Sequence, residues 1–225
     1  MNSLEIMAHA FPQLFRALGT TVEFSLIAII LGCIIGLIAA LFRLSRFRIL
    51  QAISWLYVEV FRGTPLLVQL IFIALGLPTV IPLNDWFGPR VYPYIAAAIG
   101  LALNEGAYIT EIIRAGILSV DRGQSEAAHS IGMTRFQAMV HIILPQAFKR
   151  MIPPLVNQFA QTIKDTSLLA PIAIVELLYT GQIIVSENFA GFQIYGEVAL
   201  LYLVIIFTLT RFAGYLERRL QIDKR

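Results

Sequence analysis

Residues 25–42 read Ser-Leu-Ile-Ala-Ile-Ile-Leu-Gly-Cys-Ile-Ile-Gly-Leu-Ile-Ala-Ala-Leu-Phe, without one charge. A helix of about 20 such residues, rising about 1.5 Å each, crosses the roughly 30 Å hydrocarbon core of a bilayer. Composition agrees: 58% of the chain is hydrophobic and 14% is charged, against about a quarter charged in soluble domains. A chain so poor in polar residues cannot wrap its own core in water, and the bilayer is its natural solvent.

Four further apolar stretches follow, which makes about five spans: residues 21–42, 52–78, 91–116, 144–163 and 195–212, in one transmembrane domain covering 1–225. The segment ahead of the first span repeats Leu4, Met7, Phe11, Leu14 and Leu18 near helical spacing, which predicts an interfacial helix bent at Pro12. The second span carries Glu59-Val-Phe-Arg62-Gly-Thr-Pro65, so a kink is expected there, with Glu59 and Arg62 close enough to pair. Residues 167–178 suit a short return segment. Gly32 and Gly36, continued by Ala40, would let another helix approach closely. The first twenty residues lack the charged head and apolar run of a cleavable signal, so the spans themselves are expected to direct insertion.

The net charge of +3 is distributed as membrane flanks rather than as a nucleic-acid surface. Arg43, Arg46 and Arg48 follow the first span. Arg114, Arg122, Arg135, Lys149 and Arg150 surround the polar stretch 119–145, and Arg211, Arg218, Arg219, Lys224 and Arg225 close the chain. With five spans, these 13 of 17 basic residues share one side, while loops 79–90 and 179–194 hold only Arg90. The positive-inside rule then puts the N-terminus outside and the polar stretch and C-terminus in the cytoplasm.

That polar stretch predicts two short helices. Asp121 with Gln124, and Thr134 with Gln137, have capping-box spacing. Gly132 between them can adopt the left-handed conformation that ends a helix. Small Ala127 and Ala128, read as exposed, suit docking into a partner's groove, and Phe136, Val140 and Ile143 line one face of the second helix.

The run Glu126-Ala127-Ala128, three residues, Gly132, nine residues, Ile142-x-Leu144-Pro145 resembles the signature loop of permease subunits in bacterial ABC importers. The segments EVFRGTPLLVQL (59–70), AYITEIIRAGI (107–117) and IKDTSLL (163–169) are similar to the polar amino-acid branch of that family, and the likeness covers nearly the whole chain. The resemblance implies an all-α membrane fold of the type I importer class, in a bacterial cell membrane. It implies that Glu126, Ala127, Ala128 and Gly132 couple to an ATPase. The partners it implies are two ATP-binding subunits, a second permease subunit (identical or paralogous) and an extracellular or periplasmic solute-binding protein, with membrane lipid around them. No G-x-x-x-x-G-K-[ST] string is present, so no cofactor is expected on this chain; ATP and Mg would sit on the partner.

Charged and polar residues inside a membrane mark functional sites. Asn104 and Glu105 lack a basic residue three or four positions away, and Lys164 and Asp165 fall between apolar segments. A zwitterionic amino acid needs an acceptor for its ammonium and donors for its carboxylate, so these four, with Gln69 and Thr166, are the candidate substrate-binding residues. Glu105, where the resemblance leads one to expect a small or polar residue, would suit either a cationic substrate or only a local contact. Glu111 and Arg114 have pairing distance. The rival class is an ion-coupled secondary transporter or channel, whose paired repeats five spans do not provide. His9, His129 and His141 form no H-E-x-x-H motif and no G-x-S-x-G occurs, so neither a catalytic nor a metal site is expected.

Overall fold

The computed structural model describes residues 3–219, and all their regular structure is helical. Lys224 and Arg225 of the closing basic cluster lie outside the described residues, as do the side chains of Arg218 and Arg219. The first helix, α1, runs unbroken through Ser3–Arg43 with Pro12 inside it. The expected separate interfacial helix is therefore absent. A single buried stripe explains this: Ala10, Leu14, Ala17, Thr21, Phe24, Ala28, Gly32, Gly36 and Ala40 recur at three- and four-residue steps without interruption. Packing along that stripe outweighs the one backbone hydrogen bond Pro12 removes. At about 1.5 Å per residue, α1 is roughly 60 Å long, twice the hydrocarbon thickness.

Helix α2, Arg48–Gly63, and α3, Leu66–Ile71, meet at an angle of 104°. This is a break rather than the expected kink. Pro65 forces the residue before it out of the helical region, and Thr64 is extended at φ −120 and ψ 148. α3 continues through a π-helical turn, Phe72–Gly76, and a 3₁₀ turn, Leu77–Thr79. The short α4, Leu83–Phe87, leads into α5, Tyr92–Leu118, the central helix.

α1 lies on α5 through its glycines. A Cβ at Gly32 would come within 2.6 Å of Glu105 Cγ, and one at Gly36 within 2.7 Å of Ile109 Cγ2, so only glycine permits this approach. Ser54 of α2 donates to the Ala39 carbonyl of α1 at 2.7 Å.

After α5 come α6, Arg122–Ser130, and α7, Arg135–Ala138; a π-helical turn, Met139–Ile143, then leads into α8, Leu144–Asp165. A 3₁₀ segment, Thr166–Ile172, ends at Ala173, which is left-handed at φ 60. The chain then continues as α9, Leu177–Asn188, bent by 48° from the preceding helix. A bend of less than a right angle carries the chain onward, so the return segment expected at 167–178 does not form. The N-terminus of α9 is held by Glu176, fully buried, which accepts from the Tyr179 N–H at 2.7 Å and the Tyr202 hydroxyl at 2.8 Å. Thr21 of α1 accepts from the Leu177 N–H at 3.1 Å. One carboxylate therefore ties α1, α9 and the last helix, α10, Gly191–Arg219.

By length and composition, α1 and residues 191–215 can each cross a bilayer alone, and the bent pairs 48–79 and 135–188 raise the number to four. α5 is long enough at 27 residues but carries Asn104, Glu105, Glu111 and Arg114. The site forms beside these polar groups of the central helix.

Candidate functional site

The break between α2 and α3 frees backbone carbonyls that lipid cannot satisfy. Two amide side chains take them up. Gln69 Nε2 donates to the Phe61 carbonyl at 2.8 Å, the Thr64 carbonyl at 3.0 Å and the Thr64 hydroxyl at 2.8 Å. Asn104 Nδ2 of α5 donates to the same Phe61 carbonyl and to Gln69 Oε1, both at 3.1 Å. The elbow is thereby pinned to the central helix.

The elbow walls a cavity of about 480 Å³, lined on its other sides by Asn104, Tyr108, Gln158, Gln161 and Asp165 and open on one face. Gln161 Nε2 donates to Asp165 Oδ1 at 2.8 Å. The Arg62 guanidinium lies 5.1 Å from the centre of the Tyr108 ring, within cation–π range. Arg62 is therefore turned toward α5, and the expected pairing with Glu59 does not form. Arg62, Tyr108, Gln158 and Gln161 also wall a second cavity of about 850 Å³, which extends past Glu111 to Ser119 and Arg150. Glu111 does pair with Arg114, at 2.7 Å.

The six sequence candidates divide. Asn104 and Asp165 line the smaller cavity. Glu105 is buried one side chain behind it: Oε2 accepts from Thr162 at 2.5 Å and from Gln158 at 3.0 Å, and Oε1 has no hydrogen-bond partner among the described residues. Gln69 is buried and occupied with the elbow. Thr166 is buried and donates back to the Ile163 carbonyl at 2.7 Å, and Lys164 is exposed outside either cavity lining. Sequence reading missed Tyr108, Gln158 and Gln161. Tyr108 stands one helical turn beyond Asn104, and Gln158 and Gln161 stand seven and four residues before Asp165 and thus share its helix face, a signal that spacing contained.

The polar stretch forms a second surface. Thr134 and Gln137 make a complete capping box, with the Thr134 N–H donating to Gln137 Oε1 at 2.9 Å and the Gln137 N–H to Thr134 Oγ1 at 3.3 Å. Asp121 caps α6 through the Gly123 N–H at 2.7 Å, while Gln124 turns instead to Gln146 at 3.3 Å, so no second box forms. Gly132 is left-handed at φ 87, as the turn between the helices requires. Ala127 and Glu126 are exposed, but Ala128 is 3% exposed and packs inward, against expectation, because α6 folds against α7 and the π-helical turn that follows it. Ile131 and Phe136 are instead the apolar groups presented outward, at 76% and 77% exposure.

Residues 32–222 match the family described as the binding-protein-dependent transport system inner membrane component. The chain belongs to that family. Within the family, the chain is 38% identical to the glutamine transport system permease protein GlnP of Escherichia coli, over 95% of each chain. It is 42% identical to the L-cystine transport system permease protein TcyB of Bacillus subtilis, over 93% of this chain and 87% of that one. A crystal structure of an amino acid ABC transporter with histidines contains a similar chain, with a TM-score of 0.88 at 36% identity, covering 97% of this chain and 99% of that one. A chain of the inward-facing MetNI methionine ABC transporter shares the fold, with a TM-score of 0.74 at 17% identity, covering 92% of this chain and 95% of that one. As a family member, the chain is a membrane-embedded transport subunit, and its helices adopt the ABC importer permease fold.

Proposed function

We propose that the chain is the permease subunit of an ATP-driven importer of polar or charged L-amino acids, lining the translocation path and coupling it to a separate ATPase. The observation that carries this reading is the pair of adjoining cavities, sharing Arg62, Tyr108, Gln158 and Gln161, beside a broken helix. Arg62 supplies a donor for a substrate carboxylate and Asp165 an acceptor for its ammonium, with Asn104, Gln158 and Gln161 between them. Relatives named for glutamine and cystine transport support the substrate class. Arg62 and Gln161 are exposed on an open face of this chain. Charges held at membrane depth are costly unless covered, so a second permease subunit, identical or paralogous, closes that face.

One of two ATPase subunits, with its ATP and Mg, docks at Glu126, Ala127 and Gly132, with Ala128 packed beneath; the other docks on the second permease subunit. A solute-binding protein delivers substrate on the opposite side. This chain itself holds no cofactor. A channel or ion-coupled carrier would work without the ATPase, so uptake in proteoliposomes that requires ATP and the binding protein separates the two readings.

Glu105 tests the substrate class. Its carboxylate stands behind Gln158 in a low-dielectric region where Coulomb interactions are strong. Replacing Glu105 with glutamine keeps its shape and removes its charge. Uptake of a cationic amino acid should weaken, because the through-space attraction of a negative charge one side chain from the cavity is lost. Uptake of a neutral one should change far less. An equal loss for both assigns Glu105 to the α1–α5 seam; no loss for either removes it from the site.

The proposed membrane arrangement has five spans, formed by α1, the α2–α3 pair, α5, α8 and α10, with the N-terminus outside and the C-terminus in the cytoplasm of a bacterial cell. In a chain with Cys33 replaced by serine, Ser130→Cys and Ser186→Cys both provide exposed thiols. An impermeant thiol reagent applied to intact cells should label position 186 and spare position 130. Labelling of position 130 from outside overturns the arrangement.

A further inference from the structure

The polar stretch between α5 and α8 leaves the helical body at Ser119 and returns to it at Leu144. Its base is closed by side chains that reach across this gap. The Arg150 guanidinium of α8 donates to the Ser119 carbonyl, at the C-terminal end of α5, and to the Ser119 hydroxyl at 3.2 Å. The hydroxyl itself donates to the Gly116 carbonyl at 2.7 Å. A cation suits that end of a helix, where carbonyls lack helical partners and the dipole is negative. Nearer the tip, Gln146 Nε2 donates to Gln124 Oε1 at 3.3 Å. Beneath both contacts Val120, Ala147 and Met151 form an apolar plug, with Met151 filling the space a side chain at Gly116 would need. Arg150 also lines the larger cavity, so one side chain borders both the docking loop and the path.

We propose that Arg150 is a positioning residue for coupling. Its clasp on Ser119 joins α5, α8 and the intervening loop into one rigid unit, so that a push on the loop moves the cavity walls. Without the clasp the loop flexes about its two stems and the push is dissipated. The proposal rests on the reading of residues 119–145 as the ATPase-docking loop, but its test is separable from that reading.

The complete transporter, with its ATPase subunits and binding protein, is reconstituted into proteoliposomes carrying wild type, Arg150→Ala or Arg150→Lys. Substrate uptake and substrate-stimulated ATP hydrolysis are measured on the same vesicles. Arg150→Ala should retain its ATPase subunits and most of its hydrolysis, while uptake per ATP falls about tenfold, as expected for losing a charge-assisted contact. Arg150→Lys, which keeps the charge but loses the planar fork, should fall between the two. An unchanged ratio of uptake to hydrolysis in both variants overturns the proposal, whether the two rates persist or decline together. If Arg150→Ala fails to assemble, the ratio in Arg150→Lys decides alone. A lost preference among substrates at an unchanged ratio makes Arg150 a wall of the path and likewise overturns it. Failure of the wild-type chain to retain ATPase subunits refutes the docking reading instead.

Discussion

A Gly132→Glu variant is expected to insert into the membrane normally and to lose its ATPase. Gly132 sits at φ 87, a region that costs an L-residue about 1–2 kcal/mol. A Cβ there would meet nothing within 4 Å of its own chain, so the substitution creates no clash inside the permease. Its effects reduce to a backbone cost and to whatever the new side chain meets in a partner. Gly132→Ala isolates the first and should weaken ATPase retention only modestly. Glutamate adds a charge beside exposed Ile131 and Phe136, the outward apolar groups of this turn, and a misplaced charge in a docked surface costs several kcal/mol. Co-purification of ATPase subunits and substrate-stimulated hydrolysis should therefore be lost with glutamate and largely kept with alanine. Normal coupled transport by Gly132→Glu refutes docking at this turn.

The second large effect is expected at the α1–α5 seam. A Cβ at Gly36 would lie 2.7 Å from Ile109 Cγ2, 2.8 Å from Ile109 Cβ and 2.9 Å from the Gly106 carbonyl oxygen. A β-branched carbon and a backbone atom cannot step aside, so the helices themselves must separate. Alanine at Gly36 should destabilise by about 1–3 kcal/mol, the usual cost of overpacking, and lower the thermal midpoint of the detergent-solubilised protein. Leucine should prevent accumulation of folded protein, because the Thr110 hydroxyl, 3.3 Å from the Gly36 carbonyl, is also pushed away. A methyl group at Gly19 in the same helix would meet nothing within 4 Å, so Gly19→Ala is the control and should be neutral or slightly stabilising. Equal midpoints for Gly19→Ala and Gly36→Ala would show that the seam tolerates separation.

What the sequence revealed follows from the range over which each signal acts. Apolar runs, the interruption at Pro65, the Gly32 and Gly36 seam and the left-handed Gly132 depend on a residue and its near neighbours, and each is readable. The continuity of α1 is not, because Pro12 argues locally for a bend and the stripe from Ala10 to Ala40 that overrides it is evident only once α5, α9 and α10 are packed along it. Arg62 stands three residues from Glu59, a natural partner by spacing, yet the break turns it to Tyr108 on another helix. Ala128 reads the same as its neighbour Ala127, and only the way α6 folds against α7 and the following π-helical turn separates the buried methyl from the exposed one. Glu176 carries no local signal in its loop, although its carboxylate holds three helices together across 155 residues of chain. Asn104 and Asp165 are legible as polar groups among apolar ones, whereas Gln158 and Gln161 lie in a stretch of α8 already rich in polar residues.

The elbow also constrains how such a chain can change over generations. The Phe61 carbonyl, exposed by the break at Pro65, is served by amides at Gln69 and Asn104, which also bond to each other. Loss of Asn104 leaves Gln69 Oε1 without its donor and loss of Gln69 leaves the Thr64 carbonyl without its donor, while the Phe61 carbonyl keeps one amide in either case. A lineage that mends the break, by replacing Pro65 and restoring the helix, removes the demand on both amides at once. Substitutions at positions 65, 69 and 104 are therefore expected to be coupled: the proline licenses the two amides, and the amides hold the proline in place.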